Sequence, residues 1–207
     1  MATEAIITAP FRLAFPEVFE PKSSVEGGKE KYSITMLFPK DGAPLIPSMP
    51  GDGIGAIRKL LANAIKEKWG EDKAKWPASI KALDLKTYTS ATGKDGFPLR
   101  DGDAVEWDGF SGNVFIRASS QYQPGMVNAK LQPLIDRNAI YGGLICRAQV
   151  NAYAYDNAGN RGVTLGLSNL QILKDDGTVF SGKASASDVF SAFGEAGGST
   201  SGDDDAW

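Results

Sequence analysis

The chain has 207 residues and a mass of 22.0 kDa, with no histidine, one cysteine, 22 basic and 25 acidic side chains and an isoelectric point near 5.1. Without imidazole there is no Ser-His-Asp triad, no Cys-His pair and no histidine metal ligand, and the single Cys146 can build neither a zinc cage nor an internal disulfide. Any catalysis would run on carboxylates, lysines or tyrosines, and no enzyme activity, cofactor or metal is expected.

Hydrophobic residues at 42% and charged residues at 23% suit one globular domain, and 24 Gly with 11 Pro point to many turns and a mainly β fold. No stretch approaches the roughly 20 apolar residues that span a bilayer, and residues 1–9 lack a basic, then apolar leader pattern. The expectation is a soluble, cytoplasmic protein.

In chain order, residues 5–15 predict a first strand, with Ala5, Ile7, Ala9, Phe11, Leu13 and Phe15 alternating onto one face and Pro10 marking an edge or bulge. Residues 16–31 are Pro-, Gly- and Ser-containing and predict a connection. Residues 32–38 alternate again, placing Tyr32, Ile34, Met36 and Phe38 together, and Pro39 ends the run. Ile54, Ile57, Leu61, Ile65 and Trp69 recur at helical spacing, so a helix is predicted from about 54 to 69, capped near Asp52 and stopped by Gly70. Residues 71–111 predict long loops with a short strand near 86–90. Strands follow at 113–120, 141–155 and 162–173, the last two joined by the turn sequence Asp156-Asn-Ala-Gly-Asn160.

Five strands and one amphipathic helix with long loop insertions fit an OB-fold, the five-stranded Greek-key barrel. Periodicity alone also allows a sandwich.

Two strands carry the functional reading. In 141–155 the even positions, from Gly142 and Leu144 through Cys146, Ala148, Val150 and Ala152 to Ala154, are small and apolar, as a barrel interior requires; Cys146 is core filler. The odd positions include Tyr141, Arg147, Gln149, Asn151, Tyr153 and Tyr155. In 113–120, Val114, Ile116 and Ala118 oppose Asn113, Phe115, Arg117 and Ser119. Rings two residues apart, about 6.5–7 Å, can receive successive unstacked bases, each stacking contact contributing about 1–3 kcal/mol, while arginines meet phosphates. Phe115, Tyr153, Tyr155 and Tyr141 are the candidate stacking residues, Arg117 and Arg147 the phosphate contacts, and Gln149 and Asn151 the contacts to sugar or base edges. Aromatic residues also favour strands for packing alone, so parity leaves a purely structural explanation open.

Residues 184–207 hold five acidic side chains (Asp188, Glu195, Asp203, Asp204 and Asp205) and no basic one, so the preceding 183 residues carry a net charge of +2. Their Ala, Ser, Gly and Asp composition predicts a disordered acidic tail after a 1–183 domain. Asp203, Asp204, Asp205 and Trp207 combine charge with one apolar anchor, a pattern suited to a basic pocket on a partner protein or to competition with DNA for the body's own cationic groove.

The tail resembles those of bacterial and phage single-stranded DNA-binding proteins. The body resembles a family of tailed-phage single-stranded DNA-binding proteins in Phe15-Pro-Glu-Val-Phe-Glu-Pro21, Lys31-Tyr-Ser-Ile-Thr-Met-Leu-Phe-Pro-Lys40, Glu67-Lys-Trp-Gly70 and Pro98-Leu-Arg-Asp-Gly-Asp103. The likeness continues at 142–155 and Gly162-Val-Thr-Leu165, and so spans nearly the whole chain. It implies an OB-fold that coats single-stranded DNA in phage replication, recombination or repair inside the host cytoplasm. It further implies that the tail recruits polymerase, helicase, nuclease or recombinase; weak self-association is left open.

Two rival readings fit the same residues. Asp101, Asp103, Glu106 and Asp108, with Lys94 or Arg100 nearby, could serve a Mg²⁺-dependent nuclease, although Asp-Gly turn chemistry explains the same residues. The β domain could also be a protein-only assembly module of a virion.

Overall fold

The computed structural model describes residues 3–23, 26–81, 98–157 and 160–180. Its strands are β1 (Ile6–Ile7), β2 (Phe11–Lys22), β3 (Lys31–Pro39), β4 (Arg100–Asp101), β5 (Asn113–Ser120), β6 (Gly125–Val127), β7 (Ile145–Asn157) and β8 (Asn160–Lys174). Helix α1 (Gly53–Trp69) and the four-residue α2 (Ala78–Lys81) lie between β3 and β4.

Five long strands form a circle, β2-β3-β5-β8-β7 and back to β2, with β5 and β8 parallel and every other pair in it antiparallel. Numbered within the circle this is the order 1-2-3-5-4-1, an OB-fold barrel. Closure is uneven. The β7/β8 ladder runs from Ile145↔Lys174 to Asn157↔Asn160, whereas β5 meets β8 only at Ala118↔Leu165 and Ser119↔Gly166, and β2 meets β7 only at Phe11↔Cys146 and Arg12↔Ile145. Each short seam shares its edge with a neighbour: β4 pairs with β5 at Phe115 and Val114, and β1 pairs with β7 at Val150 and Gln149. Thr8 and Thr3 hydroxyls extend the second seam by accepting from the Ala148 and Ala152 N–H groups, at 3.0 and 2.9 Å, which pairs both of these donors.

The alternation read from the sequence produces the core. Phe11, Leu13, Ile34, Met36, Ile116, Ala118, Cys146, Ala148, Val150, Ala152 and Leu165 point inward and are fully buried or nearly so. Burial pushes the Cys146 thiol pKa up, which suits inert core filler. Helix α1 packs chiefly on β7 and β8 through Ile54, Ile57, Leu60, Leu61, Ala64 and Ile65. Asp52 caps it by accepting from the Gly55 N–H at 2.7 Å, and Gly70 ends it at φ 80°, where a side chain would be strained.

The first predicted strand differs from the structure. Residues 8–10 separate β1 from β2, Ile7 turns outward at 57% exposure, and β2 continues through Pro16 to Lys22. Phe15 does not share a face with Leu13. Ala14 pairs with Thr35 and Glu17 with Ser33, so Phe15 and Pro16 oppose the single Ile34 in a β-bulge. The bulge restores the inward position at Val18 and leaves Phe15 outward, 53% exposed, at φ 44°. Residues 141–144 precede β7 as coil and turn, and the short strands β1, β4 and β6 supplement the five expected. The strand predicted at 86–90, Lys94, and the tail predicted from residue 184 lie outside the described residues.

Candidate nucleic-acid interface

Strand register places the outward residues in rows across the barrel. Asn151 on β7, Gly166 on β8, Ser119 on β5, Ser33 on β3 and Glu17 on β2 form one continuous row. One row further in one direction, two residues along β7, β8, β5 and β3 and three along the bulged β2, lie Tyr153 and Thr164, Arg117 and Thr35, and Ala14. The next step brings Tyr155 with Gly162, and Phe115 with Leu37, Arg12 and Arg100. In the other direction lie Gln149 with Asn169 and Arg147 with Gln171. The face therefore has an aromatic, cationic end and an amide end.

At the aromatic end, Phe15 and Trp107 stand exposed at 53% and 47%. Their ring centroids are 5.4 Å apart at 89°, and both rest on Phe110, at 5.5 and 5.1 Å. Phe115, expected to stack bases, is only 4% exposed: Phe110 at 5.0 Å and Trp107 at 6.0 Å cover its ring. It is the floor of the platform, with Ala14, Leu37 and Phe110. Phe15 and Trp107 were missed because neither obeys strand parity. The available signals were Phe15-Pro16 inside a strand and a Trp in the polar run Glu106-Trp-Asp-Gly109.

Lys40 fixes the loop that carries Trp107. Its ammonium bridges Asp101 and Asp103, and its backbone N–H donates to Gly112 O at 3.0 Å. Asp103 also accepts from Ser111 Oγ at 3.0 Å and the Gly112 N–H at 2.6 Å; Lys40 first, then these bonds, hold its pKa at about 2. Asp101 accepts from the Asp103 N–H at 2.8 Å. The first two carboxylates weighed for a nuclease thus serve turn chemistry and one lysine. Among the described residues no group of three or more His, Cys, Asp or Glu is arranged to hold a metal ion.

Arg117 lies on β5, two strand positions from Tyr153 by way of β8 and two from β2 by way of β3, each step about 4.8 Å. Its Nη2 donates to Glu17 Oε2 at 2.8 Å and to Ser33 Oγ at 2.7 Å, and Ser33 Oγ donates to the same carboxylate oxygen at 2.9 Å. Arg100 sits beside it, its pKa lowered by burial and then by the Arg117 charge. Two cations held this close make this part of the face electropositive. Tyr153 is half-buried, and burial, followed by Tyr155, raises its pKa. The Tyr155 ring lies over Gly162, where a Cβ would come within 2.4 Å of its hydroxyl oxygen.

The amide end is tied together internally. Arg147 Nε donates to Gln171 Oε1 at 2.7 Å, Gln171 Nε2 to Asn128 O at 3.1 Å, and Asn169 Nδ2 to Gln149 Oε1 at 2.6 Å. Asn151 lies over Gly166 in the central row, where a Cβ would sit 2.2 Å from its Oδ1. Tyr141 stands apart from the face: it precedes β7, and its hydroxyl donates to Asp175, which raises its pKa and lowers that of Asp175. Asp203, Asp204, Asp205 and Trp207 lie outside the described residues.

An OB barrel with an open, aromatic and cationic outer face belongs to the class of oligomer-binding modules. The family model described as Enterobacter phage Enc34, ssDNA-binding protein, matches residues 4–205, and the chain belongs to that family. It is 34% identical over 178 residues to protein p50 of Acyrthosiphon pisum secondary endosymbiont phage 1, covering 85% of this chain and 86% of that one. Its fold matches the single-stranded DNA-binding protein from bacteriophage Enc34 solved in complex with ssDNA, at a TM-score of 0.57 and 24% identity, over 83% of this chain and 87% of that one. It also matches gp2.5, the single-stranded DNA-binding protein of bacteriophage T7, at a TM-score of 0.54 and 14% identity, over 89% and 99%. No helix among the described residues is long and apolar enough to cross a membrane.

Proposed function

We propose that this protein binds single-stranded DNA, without catalysis, across the aromatic and cationic end of its outer face. The observation that carries the reading is the exposed Phe15–Trp107 pair on a buried aromatic floor, beside Arg100 and Arg117, in a chain of this family. Unpaired bases stack on Phe15 and Trp107, and the backbone tracks the two arginines. Phosphate displaces Glu17 from Arg117, and Tyr153 and Tyr155 offer a second stacking bank. Duplex bases hide their faces, so this arrangement favours single strands, with little sequence preference. Strain supports the assignment: a phenylalanine held at φ 44° costs roughly 1–3 kcal/mol and is retained here on a solvent-facing ring.

Titration with labelled oligo(dT) tests this. Binding should weaken steeply with salt as condensed counterions are released; no binding at low salt overturns it. At the amide end Arg147 adds a phosphate contact and Gln149 a polar contact, and Asn151 adds another from the central row.

The wider role follows the family resemblance: coating single strands during phage replication or recombination in the host cytoplasm. Residues 184–207, through Asp203, Asp204, Asp205 and Trp207, recruit replication proteins and compete with DNA for the cationic face. Removing 184–207 should tighten DNA binding at low salt and abolish partner capture; unchanged affinity sinks the competition.

A further inference from the structure

We propose that residues 175–180, which follow β8, form a buttress that positions the Phe15–Trp107 platform, with Phe180 as the positioning residue; this rests on the reading of that platform as the stacking surface. The segment joins no strand of the barrel, yet three anchors hold it. Arg12 makes a two-pronged bond to Asp176, Nη1 to Oδ1 at 3.1 Å and Nη2 to Oδ2 at 2.9 Å, while the Tyr141 hydroxyl donates to Asp175. The Phe180 N–H donates to Gly142 O at 2.9 Å. The approach is close: a Cβ on Gly143, at φ 113°, would lie 2.0 Å from Thr178 O.

These anchors deliver the Phe180 ring to the underside of the platform. It packs on the cluster of Ala14, Leu37, Phe110 and Phe115, and it covers Gly109, where a Cβ would lie 2.0 Å from its Cε1. Gly109 sits in the turn from Trp107 to Phe110, closed by the Phe110 N–H donating to Trp107 O at 3.1 Å. Trp107 takes its place from Phe110 and Phe115, and Phe180 fixes the turn and floor beneath them. A stacking ring is useful only while its support holds it in place.

The test is a double-mutant cycle in the full chain, read by binding of fluorescein-labelled oligo(dT). Phe180→Ala should weaken binding about tenfold, within the coupling range of contacting side chains, and should add almost nothing in a Trp107→Ala background. Phe180→Leu should restore most of the loss. Phe180→Val, which shortens the same side chain less, should lose part of that binding and carries the cycle if Phe180→Ala fails to fold by circular dichroism. An equal loss in both backgrounds, or none in the parent, overturns the buttress. If Trp107→Ala weakens binding and Phe180→Ala does not, only the buttress fails. If Trp107→Ala has no effect while Arg117→Ala weakens binding, the platform reading fails and the buttress with it.

Discussion

The two ends of the outer face are built on opposite plans. At the amide end, Arg147 Nε is tied to Gln171 and Asn169 to Gln149, so a polar ligand competes there with bonds the face already makes to itself. At the aromatic end, Phe15 and Trp107 expose apolar rings that surrender no hydrogen bond on contact. Net hydrogen-bond exchange is worth about 1 kcal/mol, whereas stacking a base gives about 1–3 kcal/mol. Affinity should therefore reside at the aromatic end, and the amide end should hold register.

The sharpest way to break this contrast is to remove the rings. Phe15→Ala and Trp107→Ala should each weaken oligo(dT) binding roughly 5- to 150-fold in an anisotropy titration. Phe15→Ala also relieves a strained backbone only slightly, since alanine tolerates positive φ little better. Next comes Arg117: Arg117→Ala should weaken binding and flatten the salt dependence by about 0.7 in log-log slope, one phosphate contact. Glu17→Gln should act oppositely and tighten binding, because the carboxylate that occupies Arg117 is gone; weaker binding would show that Glu17 orients Arg117 rather than competing for it.

The amide end should respond least among the binding variants. Gln149→Ala should change affinity by less than about threefold, close to the net value of one exchanged hydrogen bond. A loss larger than that of Trp107→Ala would reverse the assignment of the two ends. The smallest effect concerns the loop carrying Trp107. Asp103 has its folded pKa depressed to about 2 by Lys40, so its contribution is full above the ordinary carboxylate range and is lost as pH falls through about 2. Asp103→Asn should lower the melting temperature at neutral pH, with the difference closing as pH approaches 2. The Asp176 carboxyl, held well below its usual range by Arg12, should follow the same sign.

Legibility divides along the same line. The β7 face was readable because an unbroken strand has period 2, so Arg147, Gln149, Asn151, Tyr153 and Tyr155 had to oppose Cys146, Ala148, Val150 and Ala152. Phe15 was misplaced because two residues opposing one shift parity by one, and every outward position before a bulge becomes inward after it. Trp107 lies in a loop with no period at all. Phe115 was correctly sided and still not an open ring, because residues far along the chain fold over it.

The sequence by itself determined the interior of this protein: which strand positions are apolar, where α1 starts and stops, and hence a small β barrel or sandwich with one amphipathic helix. Zero histidine also excluded imidazole-based chemistry. Only the tertiary structure decided which outward residues meet. Strand alternation is local and repeats every two residues, whereas the platform joins a bulge in β2, a loop before β5 and a segment after β8. Such contacts depend on where the closed barrel brings distant backbone together, and no periodicity encodes that.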